Sequence, residues 1–183
     1  EVAYLLLKGE LPTEAELEGF VSDVTLHTCV HENVKDLLEG FPDDAHTMGM
    51  MVSAVSALST FYPEAKNVHD PAVRWQQIVR LVAKMPTMAA YAYRRLRGLP
   101  YVYPENELSY TSNFLNMLFG TMPEPEDARL MDKDFVLHAD HGANASSFGA
   151  RVAASTLADL HGAVTTGIAV LKGPQHGGAA EKV

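Results

Sequence analysis

Residues 171–183 read "LKGPQHGGAAEKV", which sets a histidine between Gly-Pro and Gly-Gly. Gly173 and Pro174 end the preceding helical stretch, and Gly177-Gly178 allow backbone and ligand to come close to His176. A neutral imidazole at the start of a helix can donate a hydrogen bond to an enol or enolate oxygen, with its pKa held down by the helix N-terminus. The competing reading is a surface loop whose histidine has no chemical task. A second stretch, "LHADHGANASS", places His138, Asp140, His141 and Asn144 among small residues. It admits three chemistries. One is a helix C-terminus with histidines against the last carbonyls. Another is a metal site, although a helix does not project positions i, i+2 and i+3 to one point. The third is an anion site, in which His141 and the Asn144 amide donate to a carboxylate near the N-terminus of a helix starting around Ser146.

The other ionisable residues invite plainer readings. His27 and His31 flank Cys29 in a turn-like segment, His46 sits near a helix start beside Asp44, and His69 and His161 show no partner in sequence. Capping is the expected task for His46. Arg94, Arg95 and Arg97 read as a solvated helix face able to take a phosphate, and Met48, Met50, Met51, Met85 and Met88 as core filler.

The elements that must position these groups are helical almost throughout, so the fold class is all-α. "PTEAELEGFVSDVTLH" opens on Thr13 and Glu16 at capping-box spacing, with Leu17, Phe20, Val21 and Val24 on one face. "HENVKDLLEGF" predicts a short helix closed by Gly40, and "DAHTMGMMVSAVSALSTFY" one from about Asp44 to Phe61, buried on most sides. Asp70-Pro71 starts the next, which Pro86 is expected to break or kink before "PTMAAYAYRRLRG" continues to Gly98. A proline-marked loop precedes Ser109, the expected cap of "YTSNFLNMLFG", and "PEPEDARLMDKDFVLHADH" carries acidic residues in its first turn. Two last helices, roughly Ser146–Leu157 and Leu160–Leu171, are rich in Ala, Gly, Ser and Thr, and this pair is expected to be central.

Bulk properties exclude several classes. With 183 residues, 47% of them hydrophobic, the chain can bury one good core. A net charge of −9 argues against sequence-independent binding to nucleic acid or to an anionic membrane, since both need a basic face. The single cysteine, Cys29, excludes an internal disulfide and a Cys-based zinc site, and a reducing, cytoplasmic location is expected. No apolar run approaches the ~18 residues of a membrane span. The chain opens on "EVAYLLLKGELP", which reads as the tail of a helix, so it is expected to be an interior piece of a longer protein.

Five stretches in order resemble the landmarks of the citrate synthase family, its bacterial-type members most. They are "FPDDAHTMGMMVSAVSAL", "KMPTMAAYAYRRLRGLPYVYP", "LSYTSNFLNMLFG", "LHADHGANASSF" and "LKGPQHGGAAEKV". The resemblance implies an all-α, two-domain subunit of a homodimer that condenses oxaloacetate with acetyl-CoA. Acetyl-CoA would enter as a substrate, with no bound cofactor, no metal, and no nucleic-acid or membrane partner. Residues 1–183 would be part of the large helical domain, ending near the boundary with the small domain. His176 matches the family's histidine that stabilises the thioester enol or enolate. His141 matches the histidine that hydrogen-bonds oxaloacetate, and Asn144 a nearby asparagine touching the same substrate. Three positions depart from the family pattern: Gly142 stands where Glu is usual, Ala180 where Asn is usual, and Thr47 where Pro is usual. The family's second catalytic histidine, its aspartate base and its substrate-gripping arginines lie beyond the His-Gly-Gly motif, so this polypeptide by itself is expected to be inert. Two alternatives remain open. One is a 2-methylcitrate synthase using propionyl-CoA; the other is a non-catalytic family member with an assembly or regulatory role. The helix around Met88–Arg94 is the expected dimer surface.

Overall fold

The computed structural model describes residues 1–181, which form helices joined by turns with no strand among the described residues. The first helix, α1 (Val2–Lys8), ends at Gly9, whose φ of 87° is the left-handed conformation that glycine adopts freely. Helix α2 (Glu14–Leu26) opens with the expected capping box. The Thr13 hydroxyl accepts from the Glu16 amide, and the Glu16 carboxylate accepts from the Thr13 amide at 2.8 Å. Helices α3 (Glu32–Glu39) and α4 (Thr47–Phe61) share a less common cap. His31 Nδ1 accepts from the Asn33 amide and His46 Nδ1 from the Met48 amide, each at 3.1 Å. His46 is therefore the cap its position predicted.

After a 3-10 turn at Pro63–Lys66, α5 (Pro71–Leu96) runs unbroken through Pro86. The expected break does not occur because the missing bond is replaced. Proline deprives the carbonyl four residues back of its donor, and that carbonyl, Val82 O, accepts instead from the Tyr110 hydroxyl at 2.9 Å. The same stretch of α5 grips the segment between α2 and α3. Lys84 Nζ donates to His27 O at 2.7 Å and to Cys29 O, and Thr87 Oγ1 donates to Thr28 O at 2.8 Å. Burial pulls the Lys84 ammonium down to about 8, and the two carbonyl oxygens are what keep it in a buried position. Arg94 and Arg95 correct the solvated-face reading, whereas Arg97 is exposed as expected. Arg94 is buried, donating to Pro100 O and to Leu118 O at 3.0 Å, while Arg95 donates to Phe41 O at 3.0 Å and pairs with Asp43.

The remaining helices are α6 (Tyr110–Phe119), α7 (Pro125–His138), α8 (Ala145–Ser155), α9 (Leu160–Leu171) and the single turn α10 (Gly177–Ala180). Helix α5 joins two cores. The larger gathers Leu38, Met50, Val55, Leu58, Met88 and Tyr91 from α3, α4 and α5, with Leu160, Val164 and Ile168 of α9 packed against it. The smaller holds Tyr4, Phe20, Val24, Val79 and Ala83 from α1, α2 and α5. Helix α8 lies outside α9 and has no buried residue, so only one of the two small-residue helices is central. Their crossing depends on Gly149, where an added Cβ would stand 2.9 Å from Val170 Cγ2.

The stretch Met88–Arg94 cannot be a dimer surface, because Met88, Ala90, Tyr91, Ala92 and Arg94 are buried within this chain. The exposed apolar side chains lie elsewhere, among them Leu130 and Leu137 on α7 and Phe148 and Val152 on α8. Among the described residues no helix is long and apolar enough to cross a membrane.

His161 is fully buried at the start of α9, stacked on Tyr62 at 5.9 Å, and neither ring nitrogen has a hydrogen-bond partner among the described residues. Burial lowers its pKa; Arg80 pushes the same way, while Asp159 and Glu64 oppose. The unfolded chain thus binds a proton that the folded chain refuses. The His161 contribution to stability is intact above the ordinary value of 6.5 and is lost as pH falls below it. Denaturant titrations at pH 7.5 and 5.5 are expected to show a loss of at most about 1.4 kcal/mol per pH unit from this group, and His161→Phe to remove that share.

Candidate active site

The C-terminal end of α9 turns sharply into α10, and His176 sits at the bend. Lys172 closes α9 with its amide on Ile168 O at 3.0 Å, and Gly173 follows with its amide on Val170 O at 3.0 Å. The His176 and Gly178 amides both return to Gly173 O, at 2.9 and 3.2 Å. This turn has no room for side chains at its two glycines. A Cβ on Gly177 would stand 2.7 Å from Leu171 O, and one on Gly178 would stand 2.9 Å from both Gly173 O and Lys172 O. The Gly-Gly pair thus holds the backbone compact under His176, which remains half-buried.

The other expected residues lie on the connection from α7 to α8. His138 turns back on its own helix, with Nδ1 on Asp134 O at 2.9 Å, so the helix-terminus reading holds for it. Asp140 Oδ1 accepts from the Gly142 amide at 3.0 Å, and Gly142 takes a left-handed φ of 60°, which glycine adopts without steric cost. His141 stands exposed between them and makes no side-chain hydrogen bond among the described residues. Asn144 is the N-cap of α8: its Oδ1 accepts from the Ser147 amide at 3.0 Å. That bond occupies the amide oxygen; the NH₂ donates to Gly142 O at 3.4 Å and keeps a second hydrogen for another acceptor.

What joins the two motifs is a residue that sequence reading passed over. Ser146, in the first turn of α8, puts its Oγ 2.6 Å from His176 Nε2. The contact exists because α8 and α9 cross closely: a Cβ on Gly167 would lie 3.5 Å from Ser146 O. Its only sequence signal was a hydroxyl two residues after Asn144, with nothing to say which histidine it would meet. The hydroxyl donates to Nε2 when the ring proton is on Nδ1 and accepts from Nε2–H in the other tautomer, so the contact orients the ring in either state. His176, Asn144 and His141 thus share one end of the α8–α9 pair, with Ser146 linking His176 to the helix that Asn144 caps. Ser146→Ala is expected to lower stability by about 1 kcal/mol in a denaturant melt, the contribution of one hydrogen bond to a half-buried ring.

Among the described residues no three His, Cys, Asp or Glu side chains converge as metal ligands. The His27–Cys29–His31 segment is engaged otherwise: His27 Nδ1 bonds Asp23 O at 2.7 Å, and His31 caps α3 while stacking on Phe61 at 4.8 Å.

Comparison with known proteins gives a consistent picture. The sequence model for "Citrate synthase, C-terminal domain" matches residues 1–183. Among solved structures, the chain is similar to the citrate synthase of Pyrobaculum aerophilum, with 39% identity and a TM-score of 0.94 over 100% of this chain and 47% of that one. It is similar to the citrate synthase of the thermophilic archaeon Thermoplasma acidophilum, in ternary complex with carboxymethyl coenzyme A and oxaloacetate. That match has 30% identity and a TM-score of 0.93 over 98% of this chain and 47% of that one. The citrate synthase of Thermotoga maritima MSB8 matches with 32% identity and a TM-score of 0.85, over 100% and 47% of the two chains. The chain thus spans about half the length of the structures it matches.

Proposed function

The chain belongs to the citrate synthase family, and on that premise we propose that the protein is an acyltransferase condensing oxaloacetate with acetyl-CoA to citrate and CoA through a thioester enol or enolate. The observation that carries the reading is the contact of Ser146 Oγ with His176 Nε2 at 2.6 Å, which orients the imidazole of one motif from the other. In the tautomer that carries the ring proton on Nδ1, Ser146 donates to Nε2 and the Nδ1–H is the donor offered to the thioester oxygen. As charge develops on that oxygen while the methyl proton leaves, a preorganised donor contributes ~3–4 kcal/mol of transition-state stabilisation. The ring must stay neutral to act this way, because a donor of matched acidity holds the enolate without giving its proton away early.

His141 and Asn144 take oxaloacetate. His141 is exposed and uncommitted, Asn144 offers its NH₂, and the N-terminus of α8 beside them favours a carboxylate. The Thermoplasma acidophilum ternary complex holds oxaloacetate together with a coenzyme A derivative, which supports this pair of substrates. The base that removes the methyl proton comes from the half of the fold that the matched structures have and this chain does not span. Residues 1–183 are then part of the large domain, close to its boundary with a small one. Acetyl-CoA acts as substrate, and the reaction calls for no resident cofactor. We place the protein in the cytoplasm as a homodimer. The exposed Phe148 and Val152 on the outer face of α8 support such an interface.

The test is an assay of the full-length protein for CoA thiol release from acetyl-CoA, dependent on oxaloacetate, with the product identified by mass. Citrate is the expected product. Absence of oxaloacetate-dependent release overturns the reading, and a higher kcat/KM with propionyl-CoA in the same assay replaces it with 2-methylcitrate synthesis.

A further inference from the structure

Helix α10 is a single turn of four residues with no buried side chain; its start packs against the end of α9 at Gly177 and Gly178, while its far end, residues 179–181, is exposed. His176 is its N-cap and Glu181 its C-cap. At the far end, Glu181 Oε2 lies 3.2 Å from Nε2 of His46, the residue that caps α4. The bonding of His46 is directional. Its Nδ1 accepts from the Met48 amide at 3.1 Å, so the proton of the neutral ring resides on Nε2 and is donated to the Glu181 carboxylate. The carboxylate also sits at the N-terminus of α4, where the helix dipole favours negative charge. The other end of the same turn rests on the same place: Lys172, the C-cap of α9, brings Nζ to within 3.7 Å of where a Cβ on Gly49 would stand, in the first turn of α4.

We propose that His46 and Glu181 are positioning residues for His176: their contact moors α10 to the first turn of α4, and with Ser146 it sets the direction in which the imidazole points. The proposal rests on the reading of His176 as the enolate donor. His46 takes no part in the chemistry itself. One nitrogen ends a core helix and the other holds the catalytic turn, so the frame of α4 is transmitted to the site through a single ring. A donor misdirected by a fraction of an ångström loses rate rather than substrate affinity.

The test separates this role from helix capping. In the full-length protein, His46→Asn retains an N-cap, since Asn is among the best capping residues, but its short side chain cannot reach Glu181. Glu181→Ala removes the other partner, and Glu181→Gln keeps an accepting oxygen. H46N and E181A are each expected to lower kcat about tenfold, with KM for oxaloacetate within twofold of wild type and the thermal midpoint little changed. The double variant is expected to be no slower than either single one, and E181Q to recover most of the rate. A second readout does not depend on turnover. In protein labelled with nitrogen-15 histidine and assigned with a His176→Gln variant, the His176 ring shifts are expected to move from a single tautomer toward a mixture in both H46N and E181A.

Unmoved ring shifts and an unmoved kcat in both variants overturn the proposal, as does a double variant whose loss is the product of the two single losses. Ring shifts that respond in a protein that does not condense the two substrates uphold the mooring and sink the reaction instead. Active wild type with neither readout moved sinks the mooring alone.

Discussion

Replacing His176 with alanine in the full-length protein is expected to lower kcat about 100- to 1,000-fold, the loss measured when one donor to a developing oxyanion is removed. The fold is expected to survive. The side chain is only half-buried, makes no cap bond to α10, and has Ser146 as its one hydrogen-bond partner among the described residues. KM for oxaloacetate is expected to stay within a few-fold of wild type, because the residues proposed to take it, His141 and Asn144, sit on the α7–α8 connection and not on the turn that carries His176. Steady-state kinetics with each substrate varied in turn, beside a thermal melt, checks all three statements. An unchanged kcat removes His176 from the chemistry and leaves the half-buried imidazole a structural role. A KM effect without a kcat effect reassigns it to ground-state binding.

The second large effect comes from one methyl group. Gly178→Ala would put a Cβ 2.9 Å from two backbone oxygens, Gly173 O and Lys172 O, and backbone at the end of α9 cannot swing aside as a flexible side chain could. The turn must open, and His176 moves with it. A kcat loss on the order of 100-fold is expected from misplacement alone, with about 1–3 kcal/mol of destabilisation from overpacking. Gly19→Ala is the matched control. It lies within α2 with nothing within 4 Å of the added atom, so it is expected to be neutral or to stabilise the fold by up to about 1 kcal/mol. A fully active Gly178→Ala protein would mean that the turn is not the rigid seat its atomic distances describe.

The two effects fall on residues of different visibility in the sequence. His176 and the glycines stood out because an unusual run of residue types sat at a helix end. The caps were equally visible: Thr13 with Glu16, Asp70 before Pro71, and Ser109 bond the amides two or three residues on, as their spacing required. His46 belongs with them. Other positions misled. Pro86 carries a strong local signal to break a helix, and α5 continues because Tyr110, from a different helix, donates to the orphaned carbonyl. Arg94 looked like part of a solvated basic face, yet it is buried against the carbonyls of Pro100 and Leu118, and its neighbours Tyr91 and Ala92 are core residues rather than an outer surface.

By itself the sequence determined the all-α class, most helix ends, and the order of motifs that identifies the family. Each of these depends on residues within a turn or two of one another, where i to i+3 and i+4 bonds and side-chain periodicity operate. Only the tertiary structure decided that Ser146 meets His176, that Glu181 meets His46, that α8 lies outside α9, and that a proline is harmless in the middle of α5. Those outcomes turn on how closely two helices cross and which carbonyl is left without a donor. Both are set by packing between segments far apart in the chain: a Gly149 that lets Val170 approach, and a tyrosine hydroxyl supplied from another helix. No local pattern encodes such distances, because the same glycine or tyrosine is neutral until its partner arrives.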